Sequence, residues 1–282
     1  MYPVRKLFGN GRLVQSGVRA MSAKGPLVDL AVDGEGIAVL TMQRPPVNSL
    51  NLDLLQAMSS SLDEVAKNKC KGMILTSGHA PAGGCLLAMS CEYRAMVNGK
   101  YTIGLNETAL GIVAPNWFMH TMCNTISQRE AEYALTTARM FSVDEALKAI
   151  PKIFSAGLDL RELYKPDPER LIQLARAMQA VFFKLYGSEV TTTVAINVQM
   201  IDEIAMDKKD AIEKCKKFIR LYDNINKKTQ GAAKRQLRQS VINYAEENRE
   251  EDAQALVRNI MNSHAQEQIG KYVEQLKNKK AK

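Results

Sequence analysis

A single carboxylate in an otherwise apolar segment is the first candidate for chemistry in this sequence. Glu107 lies in the stretch Gly-Leu-Asn-Glu-Thr-Ala-Leu-Gly-Ile, which covers residues 104–112. Removal from water would raise the pKa of such a carboxyl group and make it a better general base near neutral pH. A surface glutamate beside a turn is the commoner explanation for a lone Glu, so this segment alone leaves both interpretations open.

Two glycine turns, each followed by a helix-like segment, could supply the groups that work with a general base. One is Pro-Ala-Gly-Gly-Cys at residues 81–85, and the other is Ser-Ala-Gly-Leu at residues 155–158. Glycine lets backbone N–H groups approach a ligand closely, and the helix dipole favours negative charge at a helix start. Each turn could therefore form half of an oxyanion hole, although a single such turn is more often only a tight turn.

The flanking residues predict a parallel sheet covered by helices as the scaffold for these segments. Residues 36–42 and 72–77 are apolar β-type runs separated by a helical pattern at 51–69, which makes a βαβ unit. The β-branched run at 190–197 predicts a further strand. Helix starts are predicted at two capping boxes and one Asp-Pro pair, which begin at Ser127, Ser142 and Asp167.

The composition predicts a globular chain with one large domain or one domain plus an appendage. The chain has 282 residues, of which 46% are hydrophobic and 24% charged. No apolar run reaches the ~18 residues of a membrane-spanning helix, so no membrane span is expected. Residues 206–282 predict amphipathic helices that cover a core or a subunit interface, with a solvated helical cap as the alternative. The apolar positions of that region include Phe218, Leu221, Leu237, Val241, Leu256 and Ile260.

The net charge of +8 is concentrated at the start of the chain. Residues 1–28 hold five Arg or Lys residues and no acidic residue, and without them the charge falls to +3. Such a start is typical of a mitochondrial transit peptide, the alternative being a disordered basic tail. The weak remaining charge argues against a nucleic-acid partner, because such binders usually carry a basic patch within the domain itself. Five cysteines without a C-x-x-C pair predict reduced thiols, and three histidines without ligand spacing predict no metal site.

Together the three segments resemble the crotonase (enoyl-CoA hydratase/isomerase) superfamily. The resemblance implies an α/β fold, a spiral of ββα units over residues 29–205, with a C-terminal helical trimerisation region over 206–282. It implies that the Gly83 and Leu158 amides form the oxyanion hole for an acyl-CoA thioester and that Glu107 is the catalytic base. The turn Arg-Pro-Pro-Val-Asn-Ser-Leu at 44–50 would contact CoA. The implied substrate-binding residues are Asn106, Asp159, Leu160, Arg161 and Glu162.

The carboxylates present indicate a branch of that family. Its hydratases position a water with two glutamates, and Leu86 stands where the first of them is expected. A single carboxylate fits an isomerase that converts 3-enoyl-CoA into trans-2-enoyl-CoA during oxidation of unsaturated fatty acids, and residues 105–112 are closely similar to mitochondrial isomerases of the family. The resemblance also implies a homotrimer in the mitochondrial matrix without a cofactor, because CoA is part of the substrate. Another crotonase activity, such as hydration, and a non-catalytic RNA-binding role are the alternatives.

The order of the segments departs from the family. There the Ser-Ala-Gly turn follows the Ile-Leu-Thr-Ser strand, and Pro-Ala-Gly-Gly follows the Val-Ala-Ile-Asn strand. Exchanging residues 78–150 with residues 151–197 would make all three junctions family-like, so one transposition explains three departures. Because connections in such sheets are short and of fixed hand, we expect both turns to lose their usual strands. Only long crossing connections could then restore the packing, and a chain without it would be inactive or poorly folded.

Overall fold

The computed structural model describes residues 26–45, 47–76, 80–97, 102–141, 158–196 and 202–280. The strands are β1 (Val28–Val32), β2 (Ile37–Met42), β3 (Gly72–Thr76), β4 (Ala80–Pro81), β5 (Tyr93–Val97), β6 (Ile103–Gly104), β7 (Thr191–Ile196) and β8 (Glu203–Ala205). The helices are α1 (Leu52–Lys67), α2 (Gly83–Met89), a 3-10 helix (Glu107–Leu110), α3 (Asn116–Cys123), α4 (Gln128–Thr137), α5 (Leu160–Leu163), α6 (Pro168–Tyr186), α7 (Lys208–Arg220), α8 (Lys227–Glu247), α9 (Arg249–Met261) and α10 (Ser263–Lys280). None of these described helices is long and apolar enough to cross a bilayer.

The main sheet has the strand order β1-β2-β3-β7-β5-β8. β1 runs antiparallel to β2, and the other neighbours in the sheet are parallel. This confirms the predicted unit of β2, α1 and β3. β7 lies between β3 and β5 although both precede it in the chain, with Thr191 opposite Gly72 and Thr193 opposite Tyr93. The three junctions of the proposed segment exchange lie outside the described residues.

Side-chain caps mark the helix starts that the sequence predicts. Ser127 accepts a hydrogen bond from the Glu130 amide at 3.3 Å ahead of α4, and Asp167 accepts one from the Arg170 amide at 2.8 Å ahead of α6. Such caps satisfy amides that have no partner within the helix, and each contributes about 1 kcal/mol. The third predicted start, Ser142, lies outside the described residues.

Apolar side chains that alternate along the strands build a core on each face of the sheet. Met73 and Leu75 of β3 join the larger cluster, which includes residues of α1, α2 and α6. Ile74 points to the opposite face and packs in the smaller cluster with Cys215 and Ile219 of α7. This alternation follows from the two-residue period of a strand and explains why β3 is apolar throughout.

The C-terminal helices cover the core in part. α7 packs on the sheet, α9 packs on α6, and α10 contacts both α5 and the 3-10 helix. Val241 and Ile260 are buried, as expected for core-covering faces. Leu221 and Leu237 do not cover the core, because they are 67% and 85% exposed, so for them the subunit interface and the solvated cap stay as predictions. Leu221 stands at the end of α7, and Leu237 lies off the buried face of α8.

Candidate active site

Glu107 is the first residue of the 3-10 helix that follows β6. Gly111 ends this helix with a φ of +70°, a left-handed conformation that costs glycine little. The Gly111 amide donates to the Thr108 carbonyl at 3.1 Å, and the Ile112 amide donates to the Glu107 carbonyl at 3.1 Å. These bonds close the turn and keep Glu107 inside the protein, where the residue is 6% exposed.

The Glu107 carboxyl group is buried away from the hydrogen-bonding groups of the described chain. Neither of its Oε atoms has a hydrogen-bond partner among the described residues. Burial raises the pKa of Glu107 to about 7, against a smaller lowering effect of its own backbone amide. A carboxyl group with such a pKa is close to half-ionised at neutral pH, so it can accept a proton and return it. Glu107 is therefore a desolvated base rather than a surface glutamate.

The raised pKa of Glu107 predicts that the protein loses stability as the pH rises from about 4.5 to about 7. In this window the folded state keeps a proton that the unfolded state releases, so rising pH lowers the free energy of unfolding. The loss from this group should reach about 2–3 kcal/mol and should be absent in Glu107→Gln. Urea unfolding of both proteins at about pH 5 and about pH 8 tests this, and an equal pH dependence in the two would contradict it.

Gly83 opens α2 beside the strand that leads into Glu107. β4 pairs with β6 so that Pro81 lies opposite Gly104, and the Ala82 amide donates to the Gly104 carbonyl at 2.8 Å. Ala82 has a φ of +51°. Such a conformation costs a non-glycine residue about 1–3 kcal/mol, and residues of this kind cluster at functional sites. The β4–β6 pair therefore fixes the start of α2 near Glu107 at a cost in backbone strain.

Leu158 reaches Gly83 through a shared neighbour, Leu50. Leu158 and Leu50 form an isolated parallel bridge in which the Asp159 amide donates to the Leu50 carbonyl at 3.0 Å. A Cβ atom placed on Gly83 would lie 3.1 Å from Leu50 Cδ1 and 3.7 Å from Leu158 Cδ2. Within the described chain, the amides of Gly83 and Leu158 donate to no backbone carbonyl. The two predicted oxyanion positions thus share Leu50 as a common neighbour.

Asp159 is held by two arginines. Arg44 Nη2 donates to its Oδ2 at 2.7 Å, and Arg161 Nη2 donates to the same oxygen at 2.9 Å. Burial alone would raise the pKa of Asp159, but the hydrogen bonds from Arg161 and Arg44 outweigh burial and lower it. Asp159 therefore stays ionised and ties the turn that begins at Arg44 to α5. Its carboxylate acts within the protein, while the Arg161 side chain is 80% exposed and open to a ligand.

Glu162 likewise serves the protein. Arg170 donates to both carboxylate oxygens of Glu162, each at 2.6 Å, so the pair joins α5 to α6. Leu160 packs against the larger core cluster from a partly buried position. Of the four consecutive residues predicted to bind substrate, Arg161 is exposed to solvent. The carboxylates of Asp159 and Glu162 are instead paired with arginines of the same chain.

Asn106 and Leu86 bear on the reaction that the site could perform. Asn106 is half-buried, and its side chain makes no cap bond to the 3-10 helix. Leu86 is fully buried one turn into α2 and cannot activate a water. Its neighbour Cys85 lies close enough to Glu107 that this charge adds to the rise in thiol pKa that burial causes. Among these residues, Glu107 is the carboxylate that the fold brings to α2.

The helical region predicted at 206–282 includes α10, but sequence reasoning missed that this helix contacts both halves of the site. Gln266 accepts a hydrogen bond from the Lys165 amide at 2.7 Å and donates to the carbonyls of Leu163 and Ile260 at 2.8 Å each. Near the 3-10 helix, a Cβ atom placed on Gly111 would lie 3.5 Å from the Ala265 Cα. A glutamine in an amphipathic segment carries no signal for contacts with residues about a hundred positions away. Only the structure therefore reveals the hydrogen bonds of Gln266 to Leu163 and Lys165.

The three hydrogen bonds of Gln266 predict that Gln266→Ala destabilises the protein. A typical bond contributes about 0.5–1.5 kcal/mol, and an unsatisfied buried carbonyl adds to the cost, so a loss of about 2–3 kcal/mol is expected. Urea unfolding measures it, with Gln275→Ala on the exposed side of the same helix as the control. Equal free energies of unfolding for the two variants would show that the three hydrogen bonds of Gln266 do not stabilise the protein.

The fold and these residues agree with one enzyme family. A family model described as enoyl-CoA hydratase/isomerase matches residues 76–149. A human relative is 31% identical over an alignment of 240 positions, gaps included. The alignment covers 64% of this chain and 78% of the relative. The chain therefore belongs to the enoyl-CoA hydratase/isomerase family, as the motifs predict.

The individual relatives carry isomerase names. The human relative is Enoyl-CoA delta isomerase 1, mitochondrial, from Homo sapiens. The Mus musculus protein of the same name is 38% identical over an alignment of 183 positions. This alignment covers 47% of the present chain and 63% of the length of the mouse protein. The crystal structure of human mitochondrial delta3-delta2-enoyl-CoA isomerase aligns with a TM-score of 0.69 at 24% identity, over 90% of this chain and 99% of that one. This likeness confirms the predicted crotonase-like α/β fold.

Proposed function

We propose that this protein is a Δ3,Δ2-enoyl-CoA isomerase that converts 3-enoyl-CoA into trans-2-enoyl-CoA in the oxidation of unsaturated fatty acids. The observation that carries the proposal is the buried Glu107, without a partner among the described residues and with a pKa of about 7. The names of the human and mouse relatives agree with it. No cofactor is proposed, because CoA is part of the substrate.

In the first step, Glu107 acts as a base. The thioester carbonyl of the substrate accepts hydrogen bonds from the Gly83 and Leu158 amides, and the Glu107 carboxylate removes a proton from C2. The electron pair of the broken C–H bond moves toward the carbonyl oxygen and forms a dienolate. The negative charge would develop on the oxygen that accepts from both amides, and the loss of one such donor typically costs about 2.7–4 kcal/mol of transition-state stabilisation.

In the second step, the protonated Glu107 acts as an acid. It gives its proton to C4, the electron pair returns from the oxygen, and the double bond moves from C3–C4 to C2–C3. One proton leaves and one proton returns, so no water or redox partner is consumed. Burial of Glu107 slows exchange of this proton with solvent, and the fully buried Leu86 gives water no second carboxylate.

Two substrates separate isomerisation from hydration. The full chain is incubated with 3-hexenoyl-CoA and, in parallel, with trans-2-hexenoyl-CoA, and the products are resolved by chromatography. We expect the first substrate to yield trans-2-hexenoyl-CoA and the second to yield no 3-hydroxyhexanoyl-CoA. Substantial hydration of the second substrate would contradict the inference from Leu86 and support a hydratase.

Two further parts of the proposal concern the localisation of the protein in the cell and its oligomeric state. Residues 1–28 would direct the chain to the mitochondrial matrix, and residues 206–282 would support a homotrimer. A fluorescent reporter fused to residues 1–28 should enter mitochondria, whereas cytosolic reporter would refute the targeting role. Sedimentation equilibrium of the full chain should give three times the monomer mass, and a concentration-independent monomer would refute the trimer.

A further inference from the structure

Thr108 follows the proposed base directly, and its side chain lies on the outer side of the 3-10 helix. In such a helix, with three residues per turn, neighbouring side chains point about 120° apart. Glu107 accordingly turns into the protein, whereas Thr108 is exposed. The Thr108 hydroxyl donates a hydrogen bond to the Leu135 carbonyl at 2.7 Å, which joins the 3-10 helix to α4. The reaction proposed above uses Glu107 but assigns no role to this bond.

The Leu135 carbonyl is a suitable anchor, because the end of α4 withholds its usual helical partner. That partner would be the Arg139 amide four residues later, which donates instead to the Ala134 carbonyl at 2.9 Å. Ala138 permits this with a φ of +50°, the left-handed conformation that commonly closes a helix. The last carbonyls of a helix need partners from outside the helix, and the Thr108 hydroxyl supplies one to Leu135.

The chain that leaves α4 is itself attached to β6, the strand that precedes the proposed base. The Phe141 amide donates to the Ile103 carbonyl at 3.0 Å, and the two residues form an antiparallel bridge. A Cβ atom placed on Gly104 would lie only 2.6 Å from the Arg139 carbonyl oxygen, so the two backbones are in close contact. The base is therefore braced on both sides by α4 and the residues after it, through β6 and through Thr108.

The Glu107 carboxyl group depends on its backbone for its position. Among the described residues, neither of its oxygens has a hydrogen-bond partner that could orient it. The Glu107 carbonyl is held within its own turn by the Ile112 amide at 3.1 Å. The Thr108 hydroxyl adds a bond from this turn to a separate helix. Loss of that bond would let the carboxyl group move relative to a bound substrate.

Building on the proposed function, we propose that Thr108 is a positioning residue for the isomerase reaction, because its hydroxyl fixes the Glu107 backbone against α4. The base must reach C2 in the first step and C4 in the second, so one anchored backbone serves two positions of the substrate. A displacement of about 1 Å can slow a reaction by about 10²-fold, even when the residue that causes it lies away from the reacting atoms. Thr108 therefore acts through Glu107 and need not touch the substrate.

Replacing Thr108 with valine and with serine separates the effect of the hydroxyl from that of side-chain volume. Valine keeps the shape of threonine but removes the donor, whereas serine keeps the donor. We expect Thr108→Val to lower kcat for 3-hexenoyl-CoA about tenfold with little change in KM, and Thr108→Ser to stay within about twofold of the unmodified chain. The matched control is Thr136→Val, because the exposed Thr136 hydroxyl donates at 2.8 Å to the Glu132 carbonyl of its own helix. This control should leave kcat unchanged.

Deuterium transfer distinguishes positioning from a general loss of stability. With 3-hexenoyl-CoA deuterated at C2, a base that stays in place returns deuterium to C4, whereas a base that moves loses more of it to water. NMR of the product should therefore show less deuterium at C4 with Thr108→Val than with Thr108→Ser or the unmodified chain. Unchanged deuterium retention in Thr108→Val would overturn the inference whatever its kcat, as would equal losses of kcat in the valine and serine variants. Absence of turnover by the unmodified chain would refute the proposed function and, with it, this role of Thr108.

Discussion

Replacing Glu107 with glutamine is expected to lower kcat for 3-hexenoyl-CoA by about 10²- to 10⁴-fold. Glutamine preserves the size of the side chain but can neither accept the C2 proton nor return one to C4. Among the described residues, neither Glu107 oxygen has a hydrogen-bond partner, so the substitution breaks no bond of the fold and should act on the chemical step. KM should change little, because the carboxylate acts in the transition state more than in binding.

The matched control for Glu107→Gln is Glu130→Gln. Glu130 pairs with Arg139 at 3.3 Å on a partly exposed face, and loss of such a pair costs about 1 kcal/mol or less. The control should retain full activity. An activity of Glu107→Gln within tenfold of the unmodified protein would remove Glu107 from the mechanism.

Gly83→Val is expected to reduce kcat by about 10²- to 10³-fold, the effect of losing one oxyanion donor. Even a Cβ atom at Gly83 would lie 2.7 Å from Met178 Cε and 3.1 Å from Leu50 Cδ1. The bulk of valine must displace Met178, Leu50 or the Gly83 amide itself. Because Leu50 bridges to Leu158, a shift of Leu50 also moves the second donor.

The control for Gly83→Val is Gly34→Val. A Cβ atom at Gly34 meets no atom within 4 Å, so this substitution should leave activity and stability nearly unchanged. Overpacking at Gly83 should also cost about 1–3 kcal/mol, which urea unfolding measures separately. A folded Gly83→Val protein with normal kcat would contradict the prediction that bulk at Gly83 disturbs the oxyanion donors.

Local signals in the sequence predict the elements of the fold well, because their causes are local. The Asp167 cap, the helix at 51–69 and the β-branched strand at 190–197 all appear within a few residues of their predicted bounds. Strand order depends on packing between distant segments. The position of β7 between β3 and β5 could not be derived from the pattern of any one segment.

The candidate site divides in the same way. The burial of Glu107 accords with the sequence expectation, whereas the roles of Gly83 and Leu158 as oxyanion donors stay predictions. The role of Leu50 as their common neighbour, and the arginine partners of Asp159 and Glu162, come from contacts between residues far apart in the chain. The sequence identifies a carboxylate but not the arginine with which it pairs in the fold.

The proposed exchange of residues 78–150 and 151–197 stays a prediction, with two observations in its favour. β7 lies beside β3, where a strand that follows it directly in the family order would lie. The human relative aligns over 240 residues yet covers only 64% of this 282-residue chain, so the alignment contains gaps on the side of this chain, as a displaced block would produce. That both oxyanion turns lose their usual strands also stays a prediction, and Gly83 and Leu158 nevertheless share Leu50 as a neighbour.

Proton transfer by Glu107 is tested most directly with 3-hexenoyl-CoA that carries deuterium at both C2 positions. The full, unmodified chain converts this substrate in ordinary water, and the product is examined for its isotope content at C4 by NMR. If one buried carboxylate takes the proton from C2 and returns it to C4, the trans-2-hexenoyl-CoA product should carry deuterium at C4. Absence of turnover, or a product whose new C4 hydrogen comes entirely from solvent, would contradict the single-glutamate mechanism.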